Sequence, residues 1–77
     1  MKIYIFNCQN DMMIQGYTDE ETASKLPIND RCSNWKFLML SPVDPEKSIN
    51  PKHWEVANDI SETGYHIGNI TEIIGLF

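Results

Sequence analysis

The segment from Asn50 to Gly64, NPKHWEVANDISETG, decides the fold because it specifies one helix together with both of its ends. An asparagine at the N-cap accepts a hydrogen bond from an N–H group of the first turn, and a proline at the next position has no N–H to leave unpaired. A glycine after the last turn supplies the left-handed conformation that ends helices. The segment therefore predicts a main helix over residues 51–63, with an apolar side formed by Trp54, Val56, Ala57 and Ile60.

The sequence before this helix predicts a β-hairpin and a third strand. Residues 2–8 are rich in β-branched and aromatic side chains, and a turn signal at residues 9–11 separates them from a second apolar run at residues 12–17. Residues 35–40, WKFLML, are apolar enough to predict a central strand that is covered on both faces. The sequence after the main helix, Tyr65-His66-Ile67, predicts a strand that returns to the sheet.

Two further segments complete the predicted architecture. The series Thr18-Asp19-Glu20-Glu21 fits the capping-box pattern and predicts a short helix over about residues 19–25, which Pro27 ends. The apolar C-terminal residues fit either a strand or a helix. Residues 1–77 are thus expected to form a single α+β domain, in which a mainly antiparallel sheet of three to four strands packs against the main helix. Its core is expected to include Trp35, Trp54 and Tyr65.

Composition limits the classes of function. The 77 residues carry a formal net charge of -5, and the six basic residues are scattered along the chain, which argues against direct binding to nucleic acid. The chain lacks an apolar segment of the length that spans a membrane, so no membrane association is expected. Two cysteines without a CxxC motif predict free thiols in a reducing compartment, and we therefore expect a cytoplasmic location.

The side chains able to bind a soft metal have no arrangement typical of a metal site. They are Cys8, Cys32, His53 and His66, and their spacing has neither the CxxC nor the HxxxH pattern of known sites. A Cys-His nucleophile pair needs an electropositive pocket, and this chain is acidic. The sequence therefore predicts no metal, no cofactor and no catalytic residue.

A spaced series of motifs in the middle of the chain carries a resemblance to a known family. The series consists of Ser24-Lys25-Leu26-Pro27, then Trp35, then a proline-bearing loop, then Ile60, and finally Gly64-Tyr65-His66-Ile67. It resembles a family of short bacterial proteins of unknown function with the pattern S-x-L-P, a tryptophan, and a closing G-[FY]-x-[LI]. The resemblance implies a common fold and a bacterial or prophage setting, and it implies no activity.

Two surfaces are candidates for binding a partner. Glu55, Asp59 and Glu62 form an acidic stripe on the predicted main helix. The second candidate is the apolar tail, which contains Ile73, Ile74 and Phe77. The leading hypothesis is a small acidic module that binds a basic protein stoichiometrically, such as a phage or prophage inhibitor of a nucleic-acid-handling host complex. The alternatives are a minimal enzyme or small-ligand sensor, with Cys8, His53 or His66 in a site shared across a homodimer, and a structural assembly subunit.

Overall fold

The computed structural model describes residues 2–41, 47 and 50–69. Four strands form one antiparallel sheet in the order β3-β1-β2-β4, and they comprise Tyr4–Cys8 (β1), Ile14–Thr18 (β2), Trp35–Leu40 (β3) and Tyr65–Asn69 (β4). The α-helix Pro51–Thr63 (α1) precedes β4, and a 3-10 turn at Ala23–Lys25 follows β2. The α+β class, the antiparallel sheet and the first hairpin are confirmed.

The main helix has both predicted ends. The Oδ1 atom of Asn50 accepts a hydrogen bond of 2.9 Å from the N–H of Lys52, and Pro51 is the first helical residue. Gly64 has a φ of 92°, which only glycine adopts without strain, and its N–H donates to the carbonyl of Ile60 at 2.8 Å. Because the left-handed turn occupies one residue, α1 leads directly into β4.

Helix α1 covers one face of the sheet. Val56 and Ile60 pack against Ile3, Ile5 and Tyr17, and these five side chains form the buried core cluster. Ile5 lies opposite Tyr17 on β2, and Tyr17 lies opposite His66 on β4, so the apolar face runs across the three strands. The period-two alternation of strands places the neighbouring residues on the other face.

The other face is covered by the segment between β2 and β3. A Cβ atom added to Gly16 would lie 2.7 Å from Cδ2 of Leu26 and 3.1 Å from the Trp35 ring, so both side chains rest directly on the backbone of β2. The Trp35 indole N–H donates to the carbonyl of Pro27 at 2.9 Å, which fixes the segment over the sheet. These contacts give structural roles to Leu26, Pro27 and Trp35.

Strand β3 lies at the edge of the sheet, so its predicted central position was wrong. It pairs with β1 alone among the described strands, and the register shifts by one residue between Ile5 and Phe6. Leu38 is the extra residue of this bulge, since Ile5 lies opposite Met39 and Phe6 lies opposite Phe37. The edge position leaves three apolar side chains of the strand exposed, those of Phe37, Leu38 and Leu40.

The short helix predicted at residues 19–25 is reduced to the turn at Ala23–Lys25. The predicted capping box does not form because Thr18 is the last residue of β2, where its hydroxyl donates to the carbonyl of Gly64 at 3.0 Å. Strand pairing has overridden the local helical signal. Trp54, expected in the core, is 55% exposed on α1.

The two cysteines are joined, so the prediction of free thiols was wrong. Cys8 at the end of β1 and Cys32 before β3 form a disulfide, with their Cα atoms 5.6 Å apart. Both residues are buried. The pairing of β1 with β3 brings the two together, because Trp35 lies opposite Cys8 in the register. The disulfide ties the segment that covers Gly16 to the end of a central strand.

Candidate partner-binding surface

The three predicted helix carboxylates differ in their surroundings. Glu55 is exposed and forms a salt bridge of 3.5 Å with Lys52, one turn earlier on α1. Glu62 is exposed near the end of the helix. Asp59 is half-buried, and its Oδ2 atom lies 2.6 Å from Nδ1 of His66. The helix therefore presents two exposed carboxylates, while the third is engaged with β4.

Asp59 and Tyr17 hold the imidazole of His66 in place. The Tyr17 and His66 rings stack with their planes 5° apart and their centroids separated by 5.4 Å. His66 is only 6% exposed. This arrangement packs α1 onto β4 and leaves little room for a substrate at the ring.

The described part of the chain brings no three side chains of His, Cys, Asp or Glu together in a way that would hold a metal ion. Cys8 is bound to Cys32, so it is not a nucleophile in this structure. This removes one of the residues on which the enzyme alternative depended. No helix within the described ranges has the length and apolar character to cross a bilayer.

An apolar groove runs beside the edge strand. Its volume is about 470 Å³ and its apolar lining includes Met12, Phe37 and Leu38. Met12 and Met13 were predicted in the second strand, but they form the turn of the β1–β2 hairpin, where they are 69% and 54% exposed. Methionine at an exposed position is typical of surfaces that adapt to a binding partner. The groove is therefore an exposed apolar surface that a partner could cover.

A second recess lies on the same edge of the sheet, on the face covered by the β2–β3 segment. It has a volume of about 240 Å³ and is lined by Tyr4, Glu21 and Phe37. The rings of Tyr4 and Phe37 are 6.4 Å apart with an angle of 51° between their planes. The ring of Phe6 supports Phe37 in an edge-to-face contact at 5.6 Å. We call this recess the aromatic notch.

The carboxylates of residues 19–21 differ in whether they form salt bridges. Lys25 forms salt bridges of 3.0 Å with Asp19 and 3.6 Å with Glu20, whereas Glu21 forms none with the residues that the structure describes. The hydrogen bond from Lys25 to Asp19 raises the pKa of the Lys25 ammonium above its ordinary value, and the charges of both carboxylates act in the same direction. The negative charge of Glu21 can therefore act on a ligand bound in the notch.

The predicted tail residues Ile73, Ile74 and Phe77 lie outside the described residues. The groove and the notch were missed because they depend on strand order and on the bulge in β3. One signal in the sequence pointed toward the groove, since two adjacent methionines in a proposed strand cannot both face the core.

Comparison of the chain with protein-family models, with curated proteins and with solved structures found no match.

Proposed function

We propose that the protein is a small binding module that attaches stoichiometrically to a basic protein partner. The observation that carries the proposal is the exposed apolar groove formed by Met12 and the edge strand β3. Large exposed apolar side chains in a cluster are typical of protein-binding surfaces. The net charge of -5 favours a basic partner, since complementary charge accelerates association.

The partner class that we propose is a basic, nucleic-acid-handling complex of a bacterial host, with the protein acting as its inhibitor. We also propose that the chain belongs to the family of short bacterial proteins whose pattern its SKLP and GYHI motifs match. The exposed carboxylates Glu55 and Glu62 support electrostatic attraction at the rim of the interface. The apolar tail stays a predicted second contact.

Capture of the tagged protein's partner from the source cell, followed by binding kinetics with the purified partner, tests the proposal. Met12→Ser should accelerate dissociation about tenfold, because an apolar anchor of this size contributes about 1.5 kcal/mol. Ile28→Ser is its matched control, since Ile28 is 73% exposed and lies outside the groove. Equal dissociation rates for the two variants would remove the groove from the interface.

Charge reversal tests the helix separately. Glu55→Lys combined with Glu62→Lys should slow association at low salt, and 0.5 M salt should reduce the difference. Asp59 is left unchanged because it holds His66. The control for net charge is Asp30→Lys in the β2–β3 segment, compared with Glu55→Lys alone, because both replace one exposed carboxylate by an ammonium group. If Asp30→Lys slows association as much as Glu55→Lys, the effect comes from total charge and not from a surface on α1.

A cytoplasmic location, predicted from the sequence, is part of the proposal. The free thiols that first suggested a reducing compartment were predicted wrongly, so they no longer support this location. Disulfides are typical of oxidising compartments and rare in the cytosol. Alkylation of thiols before lysis, followed by fractionation, tests the location. Recovery of the linked form outside the cytosolic fraction would contradict it.

A further inference from the structure

We propose that the aromatic notch binds the ammonium group of a lysine side chain. The inference rests on the proposed function, which it deepens by naming the group of a basic partner that this surface recognises. The notch has a volume of about 240 Å³. A water molecule occupies about 30 Å³ of the liquid, so the notch has room for an ammonium group and the methylenes behind it.

The shape of the notch favours a compact cation. The faces of aromatic rings carry partial negative charge and attract cations within about 6 Å of the ring centroid. Tyr4 and Phe37 line one space at an angle of 51°, and Phe6 fixes the position of the Phe37 ring. An ammonium group can contact both rings at once. The planar guanidinium of arginine stacks on one ring face at a time, so the tilt selects for lysine.

The charges around the notch favour the same ligand. Glu21 lines the notch and has no salt bridge with any residue in the described ranges. Lys25, four residues after Glu21 in the sequence, is already held by Asp19 and Glu20. Lys36 belongs to β3 as well, but it lines the groove and is not among the described residues that line the notch. The notch thus combines two ring surfaces with one carboxylate that can pair with an incoming ammonium.

A titration of the isotope-labelled protein, followed by NMR, tests the notch without a protein partner. The probes are Nα-acetyl-lysine methylamide, the corresponding arginine derivative and tetramethylammonium chloride, with potassium chloride holding the ionic strength constant. We expect saturable shifts of the Tyr4 and Phe37 ring signals with the lysine and tetramethylammonium probes, and weaker binding of the arginine probe. Phe37→Leu and Glu21→Gln should each weaken lysine binding about fivefold or more.

Glu62→Gln is the matched control for Glu21→Gln, because it removes one exposed carboxylate far along the chain on α1. If Phe37→Leu alters the fold, as its amide spectrum would show, the exposed Glu21→Gln variant decides the test alone. Shifts that do not saturate, lysine binding that survives Glu21→Gln, or arginine binding as tight as lysine would each overturn the proposal. A captured partner whose binding depends on Met12 but not on Glu21 would leave the proposed function standing and remove only the notch.

Discussion

Reduction of the Cys8–Cys32 disulfide should lower the free energy of unfolding by about 3.5 kcal/mol. The cysteines are 24 residues apart, and closing a loop of this length removes that much conformational entropy from the unfolded chain in the loop-closure description. A domain of 77 residues has a total stability of about 4 to 12 kcal/mol. The disulfide is therefore a large share of what keeps this chain folded.

The measurement is urea denaturation of the wild-type protein with and without a thiol reductant, followed by tryptophan fluorescence. Trp35 is half-buried beside the disulfide, so its emission should report unfolding. The transition should move to lower urea in the reduced protein, and its slope should rise because the unlinked chain exposes more surface. The urea midpoint of a Cys8→Ala and Cys32→Ala double variant should not change when the reductant is added. It should also be less stable than the reduced wild type, since both buried sulfur atoms are lost.

Two results would refute this reasoning. Equal midpoints for the oxidised and reduced protein would mean that the disulfide does not constrain the unfolded chain. Two titratable thiols in the unfolded protein, purified without reductant and under air, would mean that the disulfide does not form.

Four further predictions concern single contacts. Asn50→Ala should lower the free energy of unfolding by about 1 kcal/mol in urea denaturation, whereas Asn58→Ala, at an exposed site inside α1, should lower it little or not at all. Asp59→Asn should cost about 1 to 3 kcal/mol by disturbing the contact with buried His66, and Glu62→Gln should stay within about 0.5 kcal/mol of wild type. Gly16→Ala should cost about 1 to 3 kcal/mol, because the new methyl group meets Leu26 and Trp35; a thermal midpoint equal to that of wild type would contradict the packing. The pKa of Lys25 is raised by its carboxylate partners, so its salt bridges stabilise the fold at neutral pH and lose this contribution as the pH rises through that pKa. Lys25→Met should therefore make the free energy of unfolding fall less steeply at alkaline pH.

Local chemistry explains which parts of the fold could be predicted. The ends of α1 depend on Asn50, Pro51 and Gly64, whose effects act within one turn of the helix. The first hairpin follows from a short turn between two apolar runs. In both cases the residues that determine the structure are close in sequence, so a single sequence is enough to predict it.

Long-range pairing explains what could not be predicted. An apolar strand such as β3 has the composition of a central strand, and only its place beside β1 leaves Phe37 and Leu40 exposed. The spacing of Cys8 and Cys32 does not show that strand pairing brings them together. Thr18 fits a capping box locally, yet β2 uses it as a strand residue. Contacts between distant segments decided each of these outcomes.

The acidic stripe also combines a part that could be predicted from the sequence with a part that could not. Sequence periodicity correctly places Glu55, Asp59 and Glu62 on α1, and the exposure of Glu55 and Glu62 fits a surface role. The contact of Asp59 with His66 required knowledge of how α1 packs on β4. The notch likewise required the register between β1 and β3, because Tyr4 and Phe37 are distant in sequence.

The bulge at Leu38 has a consequence for solubility. An edge strand with exposed apolar side chains is a template on which other chains can add strands and aggregate. The extra residue interrupts the regular spacing of backbone donors and acceptors along β3, and Lys36 adds a charge that would be buried in a strand-to-strand stack. The edge of this sheet is therefore poorly suited to growing by strand addition. It can display apolar side chains to a partner while the backbone discourages the chain from polymerising with itself.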